Sequence, residues 1–360
     1  MTNHILLVEP AYYSKFPPIG LLKLSAYHKT KGDTTELIDF EKKDQRIPKT
    51  NPNKIYVTSL FSWAWKPVWE AVSFYKKEFP KAEIWLGGIY ASLLPDHARL
   101  SGADRIYQGL CSKAENIFPD YDLVPDWDGS IIFSSRGCCN KCDFCAVPRL
   151  EGKMNSLKKS INPFVLGRHT KIIFFDNNFL ANKYRMDIFK ELIDFDKKVD
   201  FNQGIDAKLI TEPVAKMIAS LKLDSTIRLA YDSHDQQKFV KKAVERLLDA
   251  GIKKRDIFVY TLFNYRETPD EFFNRVREIL NWGIVCYPMR YESLYAIEKN
   301  TFISPNWDMN KIELVQHARR VIGYGGAFPA YDGLVNKFNR ATDFEEAFEL
   351  YAEKKKGASK

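Results

Sequence analysis

Six short apolar runs at a near-constant interval constrain this chain more than any other feature. They lie at residues 131–135, 172–175, 199–202, 226–230, 257–262 and 284–289, and their starts are 41, 27, 27, 31 and 27 residues apart. That interval is the length of a β/α unit with a helix in each crossover. Six such units make a partial barrel, short of the eight that close a full one. The intervening segments carry helix signals. Residues 187–195 place Ile188, Leu192 and Ile193 on one face, and 240–250 do the same with Val244, Leu247 and Leu248 before stopping at Gly251. Thr268-Pro269-Asp270-Glu271 reads as a helix start with proline at its first position and acid in its first turn.

A separate alternation precedes this series. Residues 5–8, 36–39, 55–58, 84–86 and 104–107 read as strands, with helical patterns at Leu21–Tyr27 and 68–79 between them. Strand–helix alternation of this kind predicts an open, doubly wound, Rossmann-like parallel sheet. Residues 118–129 are rich in Pro, Asp and Gly and read as a strap, its aromatics packing on a domain surface. The expected fold class is therefore α/β: a Rossmann-like domain over 1–125, a partial (β/α)6 barrel over 126–300 and a helical extension over 301–360. The extension holds a helix near 312–322, then Gly323-Tyr324-Gly325-Gly326 and further helix.

No apolar run approaches the roughly 18 residues of a membrane helix, and the first residues lack a basic segment of the signal-peptide kind. The expectation is a cytoplasmic protein with no membrane partner. The net charge of +8, from 54 Lys+Arg against 46 Asp+Glu, permits a polyanionic partner without requiring one. Part of it sits in Lys354, Lys355, Lys356 and Lys360.

Four of the six cysteines fall within residues 138–145. A disulfide framework would spread them, whereas a dense cluster points to metal. Cys138, Cys142 and Cys145 form C-x3-C-x2-C. Three soft thiolates on one short loop suit three irons of a cubane and leave the fourth iron open to a small molecule. Structural zinc requires four protein ligands, and a second cysteine pair is missing. Cys139 also permits a C-x2-C-x2-C reading. Cys111 and Cys286 stand alone and read as buried small apolar residues. The cluster directly follows the first strand of the six-unit series, and functional residues gather at such strand ends.

The stretch Arg136-Gly137-Cys138-Cys139-Asn140-Lys141-Cys142-Asp143-Phe144-Cys145 resembles the signature of the radical S-adenosylmethionine (SAM) superfamily. With Ser134-Ser135 before it and Ala146-Val147-Pro148 after, it is similar to the branch that carries a cobalamin-binding-like domain ahead of the barrel. The early segments Ile5-Leu6-Leu7-Val8-Glu9-Pro10, Pro17-Pro18-Ile19-Gly20 and Leu86-Gly87-Gly88 fit that branch too. The resemblance covers most of residues 1–300.

It implies a 4Fe–4S cluster held by Cys138, Cys142 and Cys145, reductive cleavage of SAM, and hydrogen abstraction by a 5′-deoxyadenosyl radical. Phe144 resembles the aromatic that meets the adenine. Asp176, Asn177 and Asn178 stand where the superfamily holds the methionine ammonium, often with Gly-Gly-Glu. Gln203, Asp206, Arg228 and Asp232 are candidates for SAM or substrate, with Arg228 as a bidentate clamp on the SAM carboxylate. Tyr260, Asn264, Tyr265, Tyr287, Met289, Arg290 and Tyr291 are candidates for lining the substrate cavity. An electron donor such as flavodoxin or ferredoxin is implied. The substrate is open between a small molecule, a nucleic acid and a peptide. Cobalamin is not favoured, because Asp-x-His-x-x-Gly is absent. The alternatives are a cobalamin-dependent radical SAM methyltransferase and a non-catalytic Fe–S or nucleic-acid-binding module.

Overall fold

A computed structural model of the chain describes residues 2–323 and 331–350. The first alternation builds five parallel strands: β1 (His4–Glu9), β2 (Thr34–Asp39), β3 (Lys54–Val57), β4 (Glu83–Leu86) and β5 (Arg105–Ile106), in the order β2-β1-β3-β4-β5. Helices α1 (Ile19–Lys29), α2 (Trp65–Glu78), α3 (Ile89–Leu93) and α4 (Pro95–Arg99) connect them. The two-residue period of each strand sorts its side chains between faces. Leu6, Val8, Ile55, Val57, Ile84 and Leu86 point to one face, where they are buried with Val68, Val72 and Tyr75 of α2 and Tyr90 of α3. The other face is covered by α1 over β1 and β2, where Ile5, Leu7 and Leu21 form a small core with Leu37 of β2 packed against it. Beyond α1 the same face carries Tyr56 and Trp85, and a cavity of about 470 Å³ opens over them.

The predicted strap is present. Asp120 N–H donates to the Leu22 carbonyl and its carboxylate accepts from Ser25 Oγ at 2.5 Å. Tyr121 is buried, its hydroxyl accepting from the Ile131 N–H at 2.8 Å. The strap therefore ties α1 to the first barrel strand.

The barrel strands are β6 (Ser130–Ile132), β9 (Lys171–Phe174), β10 (Lys198–Phe201), β11 (Lys222–Leu223), β12 (Ile227–Ala230), β13 (Ile257–Phe263) and β14 (Val285–Arg290). The short ribbon strands β7 (Ser135–Arg136) and β8 (Asn155–Ser156) lie between β6 and β9 in sequence. β6-β9-β10-β11 and β12-β13-β14 are two parallel sheets. One strand of the six-unit series, the fourth, is broken: β11 pairs with β10, and β12 pairs with β13. Two bonds bridge the break, Asp224 N–H to Val199 O at 2.9 Å and Ile205 N–H to Arg228 O at 2.8 Å, so the strands form one curved half-barrel.

Helices α6 (Arg185–Phe195), α7 (Glu212–Ala219), α8 (Gln237–Asp249) and α9 (Pro269–Asn281) cover its outside, with α5 (Val147–Leu150) beside the cysteines. The predicted start of α9 is a full capping box, Thr268 and Glu271 each satisfying the other's backbone. Gly251 stops α8 at φ +100°. The extension supplies α10 (Met309–Gly323), α11 (Tyr331–Arg340) and α12 (Phe344–Phe348). Phe273 and Phe272 of α9 pack on Phe338 and Phe348. The Tyr324-Gly325-Gly326 segment and the lysines of the tail lie outside the described residues. Among the described residues no helix is long and apolar enough to cross a membrane.

Candidate active site at the barrel mouth

The cysteine loop is set on an antiparallel ribbon that the sequence does not announce. After β6 the chain enters β7, which pairs with β8 through Ser135 to Ser156 and Arg136 to Asn155. The loop springs from Gly137, at φ +71°. A Cβ there would lie 2.2 Å from the Lys153 carbonyl oxygen, so only glycine fits. Its N–H donates to Glu151 Oε2 at 2.9 Å.

Cys138, Cys142 and Cys145 line one cavity of about 710 Å³, shared with Phe144, Asn177, Asn178, Gln203, Asp206 and Arg228. Cys139 is exposed and does not line it. Burial, then the neighbouring Cys145 and Cys138, push the Cys142 thiol up to about 11, and burial raises Cys145 too. A bare thiolate is disfavoured here, and a bound cation would offset that.

Asp206 organises the loop. Its Oδ2 accepts from Asn140 Nδ2 and from Asn178 Nδ2, each at 2.9 Å, and its Oδ1 accepts from the Lys208 N–H at 3.0 Å. The cysteine loop, the end of β9 and the end of β10 thus meet on one carboxylate. Asn178 is 3% exposed, and its Oδ1 is buried with no hydrogen-bond partner among the described residues. Asn177 donates to Glu151 Oε2 at 2.8 Å. Phe144 packs edge-on against Tyr265, ring centres 5.7 Å apart.

Two predicted contacts are committed elsewhere. Asp176 is 2% exposed and accepts from the Ser134 N–H at 2.9 Å and from the Ser134 and Ser135 hydroxyls at 2.6 and 2.5 Å. It locks β9 to the ribbon and does not line the cavity; burial raises its pKa against those donors. Arg228 lines the cavity, but its guanidinium is turned to Asp200 at 2.7 Å, the Phe201 carbonyl at 3.2 Å and Ser225 Oγ at 2.5 Å. It serves the barrel wall and is not a free clamp. Asp232 lines the cavity, is pushed up to about 6 by burial, and accepts from the Leu262 N–H. Among the aromatic candidates Tyr260 lines the cavity. Tyr265 and Asn264 line a smaller adjoining pocket of about 260 Å³. Asn264, at φ +59°, also bonds the backbone of Phe302 and Ser304. Tyr287 is held by Arg319 at 2.5 Å, and Arg290 by the carbonyls of Asn300 and Phe302.

Sequence reasoning missed an ionic chain behind the loop. Arg136 donates to both oxygens of Glu115 at 2.8 and 3.1 Å and to Glu151 at 3.0 Å. Lys23 of α1 donates to the Glu115 carbonyl at 2.9 Å, and burial pulls its ammonium down to about 8. These partners are far apart in sequence and belong to no motif. The chain also borders the cavity on the first sheet, lined by Tyr56, Trp85, Tyr107, Lys23, Arg136 and Phe133, and by Cys111. Cys286 is fully buried as expected, whereas Cys111 is half-buried and faces this cavity.

Among the described residues no three His, Cys, Asp or Glu side chains converge closely enough for a single metal ion. A cubane takes one thiolate at each of three separate irons, so three thiols around one cavity wall suit it. The orphaned Asn178 Oδ1 is an acceptor for an ammonium such as that of SAM. The first cavity is aromatic on its floor, and Lys23, Arg136 and Lys54 border it with their counter-charges Glu115 and Glu83 beside them.

Together the first sheet, the half-barrel and the thiol-lined mouth define an α/β protein with a Rossmann-like front sheet and a partial barrel that carries three cysteines at its mouth. Compared with solved structures, the chain is similar to the radical SAM methyltransferase TsrM from Kitasatospora setae with cobalamin and a [4Fe-4S] cluster bound: 13% identity, TM-score 0.60, covering 81% of this chain and 75% of that one. The form of TsrM with tryptophan substrate and the SAM analogue aza-SAM matches equally well, at 12% identity, TM-score 0.60, and 81% and 73% coverage. No family model and no curated protein matches the sequence. At this identity the likeness shows the fold: a Rossmann-like front sheet followed by a partial barrel.

Proposed function

We propose that this chain is a radical SAM enzyme that transfers a methyl group with the help of a corrinoid. One observation carries the reading: Arg136, which lines the aromatic cavity on the first sheet, stands two residues before Cys138 and is bonded to Glu151, whose carboxylate also accepts from the Gly137 N–H and from Asn177 of the thiol-lined mouth. This favours cobalamin more than the sequence alone does, and the fold likeness to a cobalamin-bound protein supports it. Cys138, Cys142 and Cys145 would hold the cluster, and Asn178 and Phe144 would take the methionine and adenine ends of SAM. The first-sheet cavity would take the corrinoid's nucleotide arm, its phosphate near Lys23 and Lys54. When bound, the reduced cluster supplies the electron for cleaving SAM and the corrinoid supplies a cobalt centre for the methyl group. The protein's residues orient the ligands and keep water out. A mouth of about 710 Å³ suits a small molecule or one residue of a larger one. Unpaired thiols suit a reducing compartment such as the cytoplasm.

The second reading is direct hydrogen abstraction without a corrinoid. His28 favours it: the cavity's imidazole is already bonded to Asp33 at 2.7 Å and Tyr56 at 3.1 Å and is not free for cobalt. The test is anaerobic reconstitution with iron and sulfide, then SAM and a reductant, with and without hydroxocobalamin. Corrinoid retained on desalting, with S-adenosylhomocysteine formed only in its presence, is the expected result. 5′-Deoxyadenosine as the product, with no corrinoid retained, overturns the methyl-transfer reading in favour of the second. An intact cluster with neither product overturns both.

A further inference from the structure

We infer that Asn178 sets the reduction potential of the cluster by donating a hydrogen bond to the Cys138 thiolate. This rests on the cluster ligation proposed above. Three observations carry it. The Asn178 carboxamide is fixed in one orientation: Asp206 Oδ2, an acceptor, lies 2.9 Å from Nδ2, so nitrogen and not oxygen faces it. Asp206 is itself held by Asn140 and by the Lys208 N–H. The second hydrogen on Nδ2 is directed at the cysteine doublet, with Cys139 Sγ at 3.4 Å and Cys138 Sγ at 3.8 Å.

The two sulfurs differ in what surrounds them. Cys138 lines the cavity with Cys142 and Cys145, while Cys139 is exposed. Cys138 Sγ also faces the Asn140 N–H at 3.4 Å. The sulfur on iron thus sits between two N–H donors, one from the backbone and one from Asn178, and the Cys139 contact is the approach of the same amide to an idle neighbour. Reduction of the cluster places added negative charge on its sulfurs. A donor there stabilises the reduced form more than the oxidised form and raises the potential. Asn178 is a positioning residue in this sense, acting on the metal through its ligand.

The test is a dithionite titration of the reconstituted protein monitored by the EPR signal of the reduced cluster. Three variants are compared with wild type: Asn178→Ala, Asn178→Leu, which keeps the volume without the N–H, and Asn140→Ala. The last removes the other arm from Asp206 but keeps the amide on sulfur. Both Asn178 variants are expected to lower the ratio of reduced to oxidised cluster about tenfold at a fixed potential, a negative shift of ~59 mV for a one-electron couple, with Asn140→Ala near wild type. As a measure independent of variants, wild type labelled with ¹⁵N in the asparagine side chains is expected to show a weak nitrogen coupling to the reduced cluster without SAM. Unchanged potentials with a normal cluster signal overturn the role of Asn178 and leave the ligation standing. An equal shift in Asn140→Ala also overturns it, assigning the effect to Asp206. A wild type that assembles no 4Fe–4S signal overturns the ligation and this inference with it. If neither Asn178 variant folds, absence of the nitrogen coupling in wild type overturns it.

Discussion

The two parallel sheets share one construction rule and prepare opposite kinds of site. In the first sheet, helices cover one face along the sheet and the other only over β1 and β2, so Tyr56 of β3 and Trp85 of β4 floor an open, mostly apolar socket. In the second, the walls are complete and the site is a gap in chemistry: raised thiols, an orphaned carboxamide oxygen and a carboxylate already shared by two amides. One site is defined by missing packing and the other by missing charge. Hydrophobic burial can fill the first, and only cations can complete the second.

That contrast can be broken at the cysteines first. Cys142→Ala is expected to abolish cluster assembly and SAM cleavage, leaving corrinoid retention by the first cavity unchanged. Iron and sulfide analysis beside product formation measures both, and a normal cluster in this variant would sink the ligand assignment. Next comes the ionic chain behind the cysteine loop, which lines the first-sheet cavity. Glu115→Gln leaves Lys23 and Arg136, both largely buried, without a shared counter-charge, and is expected to cost about 3 kcal/mol of stability in urea unfolding. No loss there would mean that the two sites are not joined through this chain.

A smaller effect sharpens the picture of the first sheet. Burial, then Asp39, pushes Glu9 up to about 7 from its ordinary 4.5. Its folded pKa is raised, so its contribution is present below about 4.5 and is lost as pH rises through about 7. Glu9→Gln should remove that slope and stabilise the protein by roughly 2 kcal/mol at pH 8 relative to pH 4.5. Parallel pH profiles for variant and wild type would refute the assignment. The smallest expected change is Trp85→Ala, which should weaken corrinoid binding about tenfold, on the order of 1.4 kcal/mol, with no change in the cluster spectrum. A changed spectrum would show that the socket and the mouth are one site.

Both sheets were legible in the sequence because parallel strands are short apolar runs, and their order of appearance sets the topology. The break between β11 and β12 was not legible. It arises where residues 222–230 must pair with one neighbour at the bottom and another at the top, a curvature that no local pattern encodes. That Cys138, Cys142, Cys145 and Asn178 meet at one cavity was legible through spacing and position. Asp176 and Arg228 show the limit: each stands at a strand end where function is expected, yet each is claimed by partners 28 to 42 residues away in sequence, Asp200 for Arg228 and Ser134 and Ser135 for Asp176. Glu115 and Glu151, 21 and 15 residues from Arg136, were hidden for the same kind of reason.

Gly137 has a consequence for how the proposed cluster would be loaded. Because the ribbon closes on it too tightly for a methyl group, the chain leaves for the cysteines in one direction only. Most of the entropy of placing the first ligand is lost when the ribbon folds, before iron is present. Loading is then the filling of a mould and not a folding reaction. Chelation should empty the site and leave the polypeptide folded and ready to be filled again, unlike a zinc finger, which unravels with its ion.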